Sequence, residues 1–172
     1  MRYFWLLLVG CLAFCSDEAE STPNEWPDKI KHLPEGLTVE HSADTVYASF
    51  NRKDPETKGK FQLKFSTTVS SMKGDVKIKE FGGYFWSDNK WKAVSMYDRP
   101  FNANEFDAWY GASDGMVESG KNYTDPNNWL MKGNQLTKDT IRALLYFIGT
   151  NEENQKVMGA KEIIGVNSFR KH

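Results

Sequence analysis

The strictest pattern in the sequence is an alternation of apolar and polar residues from Phe61 to Val69. The odd-numbered positions are mostly apolar and the even-numbered positions are polar. Successive side chains of a β-strand point to opposite faces of the sheet, so this period of two predicts a strand with one buried and one solvated face. Such strands are typical of antiparallel sheets, whose apolar face has to be covered by a second layer.

Segments elsewhere in the chain predict partners for this strand. Shorter alternating segments predict strands at 37–41, 46–50 and 76–79. The almost wholly apolar segment 141–148 is rich in β-forming residues, which predicts a central strand covered on both faces. Residues 157–166 are its expected partner, interrupted by two glycines.

The segment 111–139 carries many Gly and Asn residues and a proline, without sustained periodicity. A structureless connection of this length is unusual in a compact domain. The segment either contains short elements around Met116-Val117 and Trp129-Leu130-Met131 or is a functional loop. We favour a packed, ordered loop, for which Tyr123 and Trp129 are natural anchors.

Two runs of aromatic and β-branched residues, 84–86 and 91–94, flank the turn-forming residues 87–90. This arrangement predicts a β-hairpin with a four-residue loop, in which Trp86 and Trp91 face each other across the strands. The glycine pair before the hairpin predicts a bulge or bend.

A short helix is predicted at 103–110. Asn102 is a favourable N-cap, Glu105 stands three residues later as in a capping box, and Gly111 suits a left-handed C-cap. Two helical turns are too few to persist alone in water, so packing has to stabilise the helix. Its apolar face consists of Phe106, Trp109 and Tyr110.

The predicted fold class is all-β: an antiparallel β-sandwich with one short helix. The alternative is an α+β fold in which the helix packs on a single curved antiparallel sheet. A chain of 172 residues suits one domain. We expect that domain at 36–172, after a polar, proline-containing tether at 16–35 whose Trp26 and Ile30 can dock on it.

The N-terminus indicates export. Arg2 precedes an uninterrupted apolar run from Tyr3 to Phe14, which is shorter than the ~20 residues that span a bilayer. A positive residue, an apolar run of this length and a polar boundary predict a secretory signal at 1–15. Both cysteines of the chain, Cys11 and Cys15, lie within it.

The four residues that end at Cys11 match the lipobox pattern. Those that end at Cys15 match less well because Phe14 is bulky, but Cys15 follows a longer apolar run and precedes the polar Ser16-Asp17-Glu18. The segment thus resembles the signal of bacterial surface lipoproteins. The resemblance implies acylation, for instance with palmitate, at Cys15 or alternatively Cys11, and a cell-envelope location at the outer membrane or surface. Ordinary cleavage, giving a secreted or periplasmic protein, is the alternative.

Several classes of chemistry lack support in the sequence. A net charge of −1 gives no electrostatic reason to expect nucleic acid. The three histidines lie in the tether, the first strand and the last position, so we predict no metal site and no cofactor. Asp98, Glu105 and Asp107 are close in sequence, which leaves a carboxylate pair for hydrolysis of a polymer as an alternative.

The predicted ligand-binding residues lie at the hairpin and on the loop that follows it: Trp86, Trp91, Tyr97, Asp98 and Arg99. Exposed aromatic side chains stack on sugars or anchor protein partners. Arg99 is expected to pair with Asp98, its nearest carboxylate. The predicted function is a non-enzymatic, lipid-anchored envelope domain that binds a glycan or a protein. A small hydrolase and a purely structural envelope protein are the alternatives.

Overall fold

The computed structural model describes residues 26–95, 97–133 and 137–169, most of which lie in β-strands. The strands are β1 (Leu37–His41), β2 (Thr45–Tyr47), β3 (Ser49–Phe50), β4 (Phe61–Ser71), β5 (Val76–Ser87), β6 (Lys90–Val94), β7 (Phe101–Asn102), β8 (Met116–Val117), β9 (Asn122–Gly133), β10 (Thr140–Asn151) and β11 (Lys156–Val166). The helices are α1 (Pro55–Lys58) and α2 (Ala103–Tyr110), with a 3-10 turn at Ser113–Gly115. None of the helices in these ranges has the length and apolar character needed to cross a bilayer.

The strands form two sheets. In the first, β4 pairs along one edge with β9 and along the other with β1 and β3. The second sheet has the order β2-β11-β10-β5, and β6, β7 and β8 share the remaining edge of β5. Only β2 and β11 pair in parallel among these strands. The β-rich fold with a short capped helix confirms the predicted class.

The alternation in β4 has the predicted consequence. Leu63, Phe65, Thr67 and Val69 are all buried, whereas the residues between them are partly or fully exposed. Leu63, Phe65 and Val69 belong to the core between the sheets, together with residues of β10 and β11. Burial of one face of β4 therefore joins the two layers.

β10 is the central strand of the second sheet, as predicted. It pairs with β11 on one side and with β5 on the other. Its inner face contributes Phe147 to the core, while Leu144 and Tyr146 lie in a separate cluster on the outer face. The chain at 26–33 covers this outer face through Trp26 and the fully buried Ile30.

The predicted hairpin joins β5 and β6, but its loop is shorter than expected. Ser87 pairs with Lys90, so the turn consists of Asp88 and Asn89. Both have positive φ angles, 53° and 56°, which is the geometry of a type I′ turn and matches the twist of the flanking strands. The predicted irregularity at the glycine pair lies instead at Lys79, the extra residue where the β5–β10 register shifts.

The favoured loop at 111–139 is wrong, because β9 occupies Asn122–Gly133 and pairs along β4, while the alternative of elements around Met116 and Trp129 is confirmed by β8 and β9. The strand was hidden by two register shifts that break its alternation. One shift contains Pro126, which has no N–H to donate and is tolerated in strands mainly at bulges and edges. The other contains Leu130. A single period of two cannot describe such a strand.

Helix α2 has the predicted caps. The Asn102 side chain accepts hydrogen bonds from the backbone of Asn104 and Glu105, and the Glu105 carboxylate accepts one from the Asn102 backbone at 2.7 Å. Gly111 ends the helix at φ 71°, in the left-handed region that favours glycine. Phe106 is fully buried and stacks on Tyr110 at 4.4 Å.

Replacing Phe106 with Ala is expected to lower the free energy of unfolding by about 3–5 kcal/mol, because it leaves a cavity among Phe81, Tyr110 and Phe147. Asn102→Ala should cost about 1 kcal/mol through loss of the cap. The exposed Asp107→Ala on the same helix is the control, with a change within about 0.5 kcal/mol. Denaturant melts that show Phe106→Ala to be neutral would contradict this packing.

Candidate functional site

The edge of β5 that faces away from β10 is interrupted. β7 pairs with Glu80 and Phe81, and β6 pairs from Gly83 onward. Among the described residues, none of β6 or β7 is in register with Gly82. The chain between β6 and β7 leaves the sheet here, and a cleft of about 780 Å³ opens at the gap.

The inner walls of the cleft are apolar and largely aromatic. They come from five separate parts of the chain: β5, β7, α2, β9 and β10. Their side chains are Phe81, Phe85, Phe101, Trp109, Tyr110, Trp129, Leu130, Ala143 and Leu145. Ala93 and Val94 of β6 line the rim. The cleft therefore penetrates between the two sheets beside α2.

Three consecutive residues of β9, Asn128, Trp129 and Leu130, line this cleft. In a regular strand, successive side chains face opposite sides of the sheet. The extra residue at Leu130 interrupts this alternation after Trp129, and bulges of this kind re-aim side chains beside binding sites.

The glycine pair on β5 keeps the gap free of side chains. A Cβ atom at Gly83 would meet only ordinary contacts, 3.7 Å from the Leu144 carbonyl oxygen and 3.7 Å from Val94 Cγ2. Neither backbone conformation nor a close backbone approach therefore requires glycine at this position. The lack of a side chain at Gly83 leaves space in the cleft.

The cationic side chains at the rim are paired within the fold. Arg99 donates two hydrogen bonds to the Glu105 carboxylate, each 2.9 Å long. The predicted pairing of Arg99 with Asp98 is therefore corrected, since Glu105 is brought close by the start of the helix. Lys29 pairs with Glu80 at 2.6 Å and donates to the Tyr146 hydroxyl at 3.3 Å. The hydrogen bond from Arg99 holds the pKa of Glu105 below its usual range.

The predicted ligand-binding residues fall into two groups. Asp98 and Arg99 line the cleft, and the exposed Tyr97 stands beside them with its ring 5.9 Å from that of Phe101. Trp86 and Trp91 form the expected cross-strand pair, with ring centroids 5.2 Å apart.

This tryptophan pair lies on the outer face of the second sheet, where Trp91 packs against the cluster of Leu144 and Tyr146. The Arg142 guanidinium lies 5.9 Å from the Trp86 ring and 5.6 Å from the Trp91 ring, and it is itself bound to Glu162. Neither tryptophan lines the cleft.

The polar groups at the inner end of the cleft form a network. Asn128 Nδ2 donates to Thr67 Oγ1 at 3.0 Å, and the Tyr110 hydroxyl bonds with both side chains. Thr67 Oγ1 also lies 3.1 Å from His41 Nδ1, and His41 Nε2 lies 3.2 Å from the Lys161 carbonyl oxygen. A carbonyl can only accept, so Nε2 carries the proton and neutral Nδ1 accepts from Thr67.

Burial raises the pKa of the Tyr110 hydroxyl, and the Asp125 carboxylate adds to the effect. Burial also lowers the pKa of His41, because the charged imidazolium loses solvation between the sheets. The network therefore consists of neutral groups that satisfy one another.

Sequence reasoning missed the residues that β9 contributes. Trp129 was expected as an anchor of a loop, and Asn128 carried no recognisable motif. The alternation that would have revealed their strand is broken by the bulges. The glycine pair at 82–83 is a local signal of the gap, but the same pair is also typical of a bulge or bend.

No protein-family model, curated protein or solved structure matches the chain. Within residues 26–95, 97–133 and 137–169, no group of three or more His, Cys, Asp or Glu side chains is placed to hold a metal ion.

Stability is expected to fall as the pH decreases through about 6.5, because unfolded His41 binds a proton there while the native state, with its lowered pKa, resists it. The loss levels off once the pH is below the native pKa. Denaturant melts of His41→Gln should show a smaller decline between neutral and mildly acidic pH than the wild type. His32→Gln, which removes an exposed histidine outside the network, is the control. An identical decline in His41→Gln would contradict this origin.

Proposed function

We propose that the protein is a non-enzymatic binding domain that takes an uncharged, largely apolar small molecule into the cleft beside α2. The observation that carries this proposal is the open cleft of about 780 Å³ that is lined largely by aromatic and aliphatic residues of both sheets. Small-molecule sites typically measure about 300–1,000 Å³ and have mainly apolar walls with a few polar groups.

The charges at the rim support an uncharged ligand. Arg99 and Lys29 already bind Glu105 and Glu80, so neither offers an uncompensated positive charge. Asp98 adds an exposed carboxylate to the rim, which opposes the approach of an anion. A charged ligand would lose its hydration in the cleft without gaining a free counter-charge.

The same reasoning favours an apolar ligand over a glycan inside the cleft. A buried sugar hydroxyl has to find a hydrogen-bond partner, and leaving one unsatisfied costs about 1–3 kcal/mol. Asn128 and Tyr110 are already bound within the network of Thr67. Phe81, Phe85 and Leu145 gain instead from contact with apolar ligand surface.

Glycan binding stays a second candidate at the outer face. There Trp86 and Trp91 are half-buried and stand beside the Arg142 guanidinium. A partly exposed aromatic pair can stack on a sugar ring. If Trp86→Ala abolishes binding of a glycan but leaves binding of an apolar probe unchanged, the outer face binds the glycan separately from the cleft.

Two of the carboxylates considered for hydrolysis have other roles. Glu105 closes the capping box of α2 and binds Arg99. Asp107 is exposed on the helix surface. A glycosidase needs two carboxylates that converge on the scissile bond, so these positions support binding better than hydrolysis.

We further propose that the domain is exported and held at the cell envelope by a lipid on Cys15 or Cys11. This part of the proposal depends on the N-terminal sequence, because both cysteines lie outside the described residues. A tethered binding domain at the envelope would meet apolar molecules that enter from outside or leave the membrane.

Gly83→Ile is expected to weaken binding of the neutral fluorophore N-phenyl-1-naphthylamine by about tenfold or more, because the new side chain occupies the cleft. The backbone at Gly83 accepts a Cβ without a clash, so the fold should persist. Binding is measured by the rise in probe fluorescence on titration with the full chain. The anionic relative 1-anilinonaphthalene-8-sulfonate should bind more weakly than the neutral probe.

Thr38→Ile is the matched control, since it places the same isoleucine side chain at an exposed strand position outside the cleft. It should retain wild-type affinity for the neutral probe. Equal affinities of wild type, Gly83→Ile and Thr38→Ile would contradict binding in the cleft. Tighter binding of the anionic probe would contradict the uncharged ligand class.

The lipid anchor makes a separate prediction. Expressed in a bacterium that processes lipoproteins, the full chain should partition into the detergent phase. Cys15→Ser or Cys11→Ser should shift it to the aqueous phase, depending on which cysteine is acylated. Partitioning into detergent that survives the double substitution would show that acylation is not the cause.

A further inference from the structure

A second apolar feature lies away from the cleft. The rings of Phe50, Phe61 and Phe169 contact one another, with centroid distances of 4.5–5.3 Å. Phe50 is 55% exposed and Phe169 is 39% exposed. None of these three residues lines the cleft. We refer to Phe50, Phe61 and Phe169 as the aromatic patch.

Regular structure holds the aromatic patch in place. Phe50 lies on the edge strand β3 and is paired with Phe61 at the start of β4. The backbone of Ala48 donates to the Val166 carbonyl at 2.8 Å, which holds this edge against the end of β11. The patch is therefore a preformed surface.

The turn next to the patch is also held by hydrogen bonds. The Asn51 side chain is buried and donates to the carbonyl oxygens of Asp54 and Gly59, both at 2.9 Å. This bracing fixes the segment that joins Phe50 to Phe61.

The chain around the patch is rich in cations. The segment between Phe50 and Phe61 contains Arg52, Lys53, Lys58 and Lys60 against Asp54 and Glu56. Arg52 and Lys53 are exposed. Exposed aromatic rings beside an excess of positive charge are the combination that favours the surface of an anionic bilayer.

We propose that the aromatic patch docks on an anionic lipid bilayer, with its rings at the headgroup boundary and the neighbouring cations on lipid phosphates. If the chain is lipid-anchored, as proposed above, the length of the segment between the anchor and the domain limits how far the domain can lie from the bilayer. The ten positions 16–25 can extend by at most about 35 Å. A single acyl chain holds a protein weakly, so a second contact would strengthen attachment and orient the domain.

The test uses the full chain with Cys11→Ser and Cys15→Ser and one new cysteine that carries an environment-sensitive fluorophore. Ser49→Cys places the label on β3, one residue from Phe50, and keeps all three aromatic residues of the patch. Met72→Cys places it at an exposed apolar position just beyond the other end of β4, about 35 Å along the strand. Both labelled proteins carry the same N-terminal segment, so any contribution of that segment is shared and the difference between them reports which end of the domain faces the bilayer.

On vesicles of equimolar phosphatidylcholine and phosphatidylglycerol, the label at position 49 should shift to the blue and gain intensity, and the label at 72 should not. The shift should shrink on phosphatidylcholine alone and in the Arg52→Gln/Lys53→Gln variant. It should be lost in Phe50→Ser/Phe169→Ser, whose changed residues are exposed and whose melts serve as a folding check.

Equal responses at positions 49 and 72, or no response at 49, would overturn the proposal. A blue shift at 49 without vesicles would assign the patch to self-association and would overturn it too. These outcomes do not depend on the cleft, because ligand binding in the cleft is measured by the fluorescence of the neutral probe and not by that of the label on the cysteine.

Discussion

The fold depends on the packing of Phe81, which stands where the second sheet meets α2. Its ring stacks on that of Phe147 across the β5–β10 pair, with the ring centroids 5.5 Å apart and an angle of 5° between the ring planes. The other contacts of the same ring are with Phe101, Phe106, Trp109 and Tyr110, at 5.2–6.0 Å. A two-turn helix has little stability of its own, so the edge-to-face contacts of Phe81 with Phe106, Trp109 and Tyr110 hold α2 against the sheet.

Placing α2 at this point also creates the cleft. The chain has to leave the edge of β5 after Val94 and return at Phe101 to enter the helix, and the gap between the two lies beside Gly82. Trp109 and Phe101 form one wall, while the bulged part of β9 brings Trp129 and Leu130 to the other. The packing that stabilises the helix and the opening that admits a ligand are therefore consequences of one arrangement.

Much of the fold could be predicted because its signals are local. The alternation in β4, the apolar run of β10 and the caps of α2 each lie within about a dozen residues. The β9 strand could not be predicted, because Pro126 and the bulge at Leu130 disrupt the period of two that would reveal it. The cleft could not be predicted either, because its walls come from segments far apart in sequence. Proximity along the chain suggested Asp98 for Arg99, whereas the turn into the helix presents Glu105.

The most direct test of a ligand site in the cleft is a methyl NMR titration of the full chain with N-phenyl-1-naphthylamine. Ligand rings entering the cleft should shift the methyl signals of Val94, Leu130, Ala143 and Leu145, which line it. The methyl signals of Val39, a residue of β1 whose side chain lies in the core away from the cleft, should not shift. Shifts confined to methyl groups outside the cleft, or spread evenly over the domain, would contradict the account.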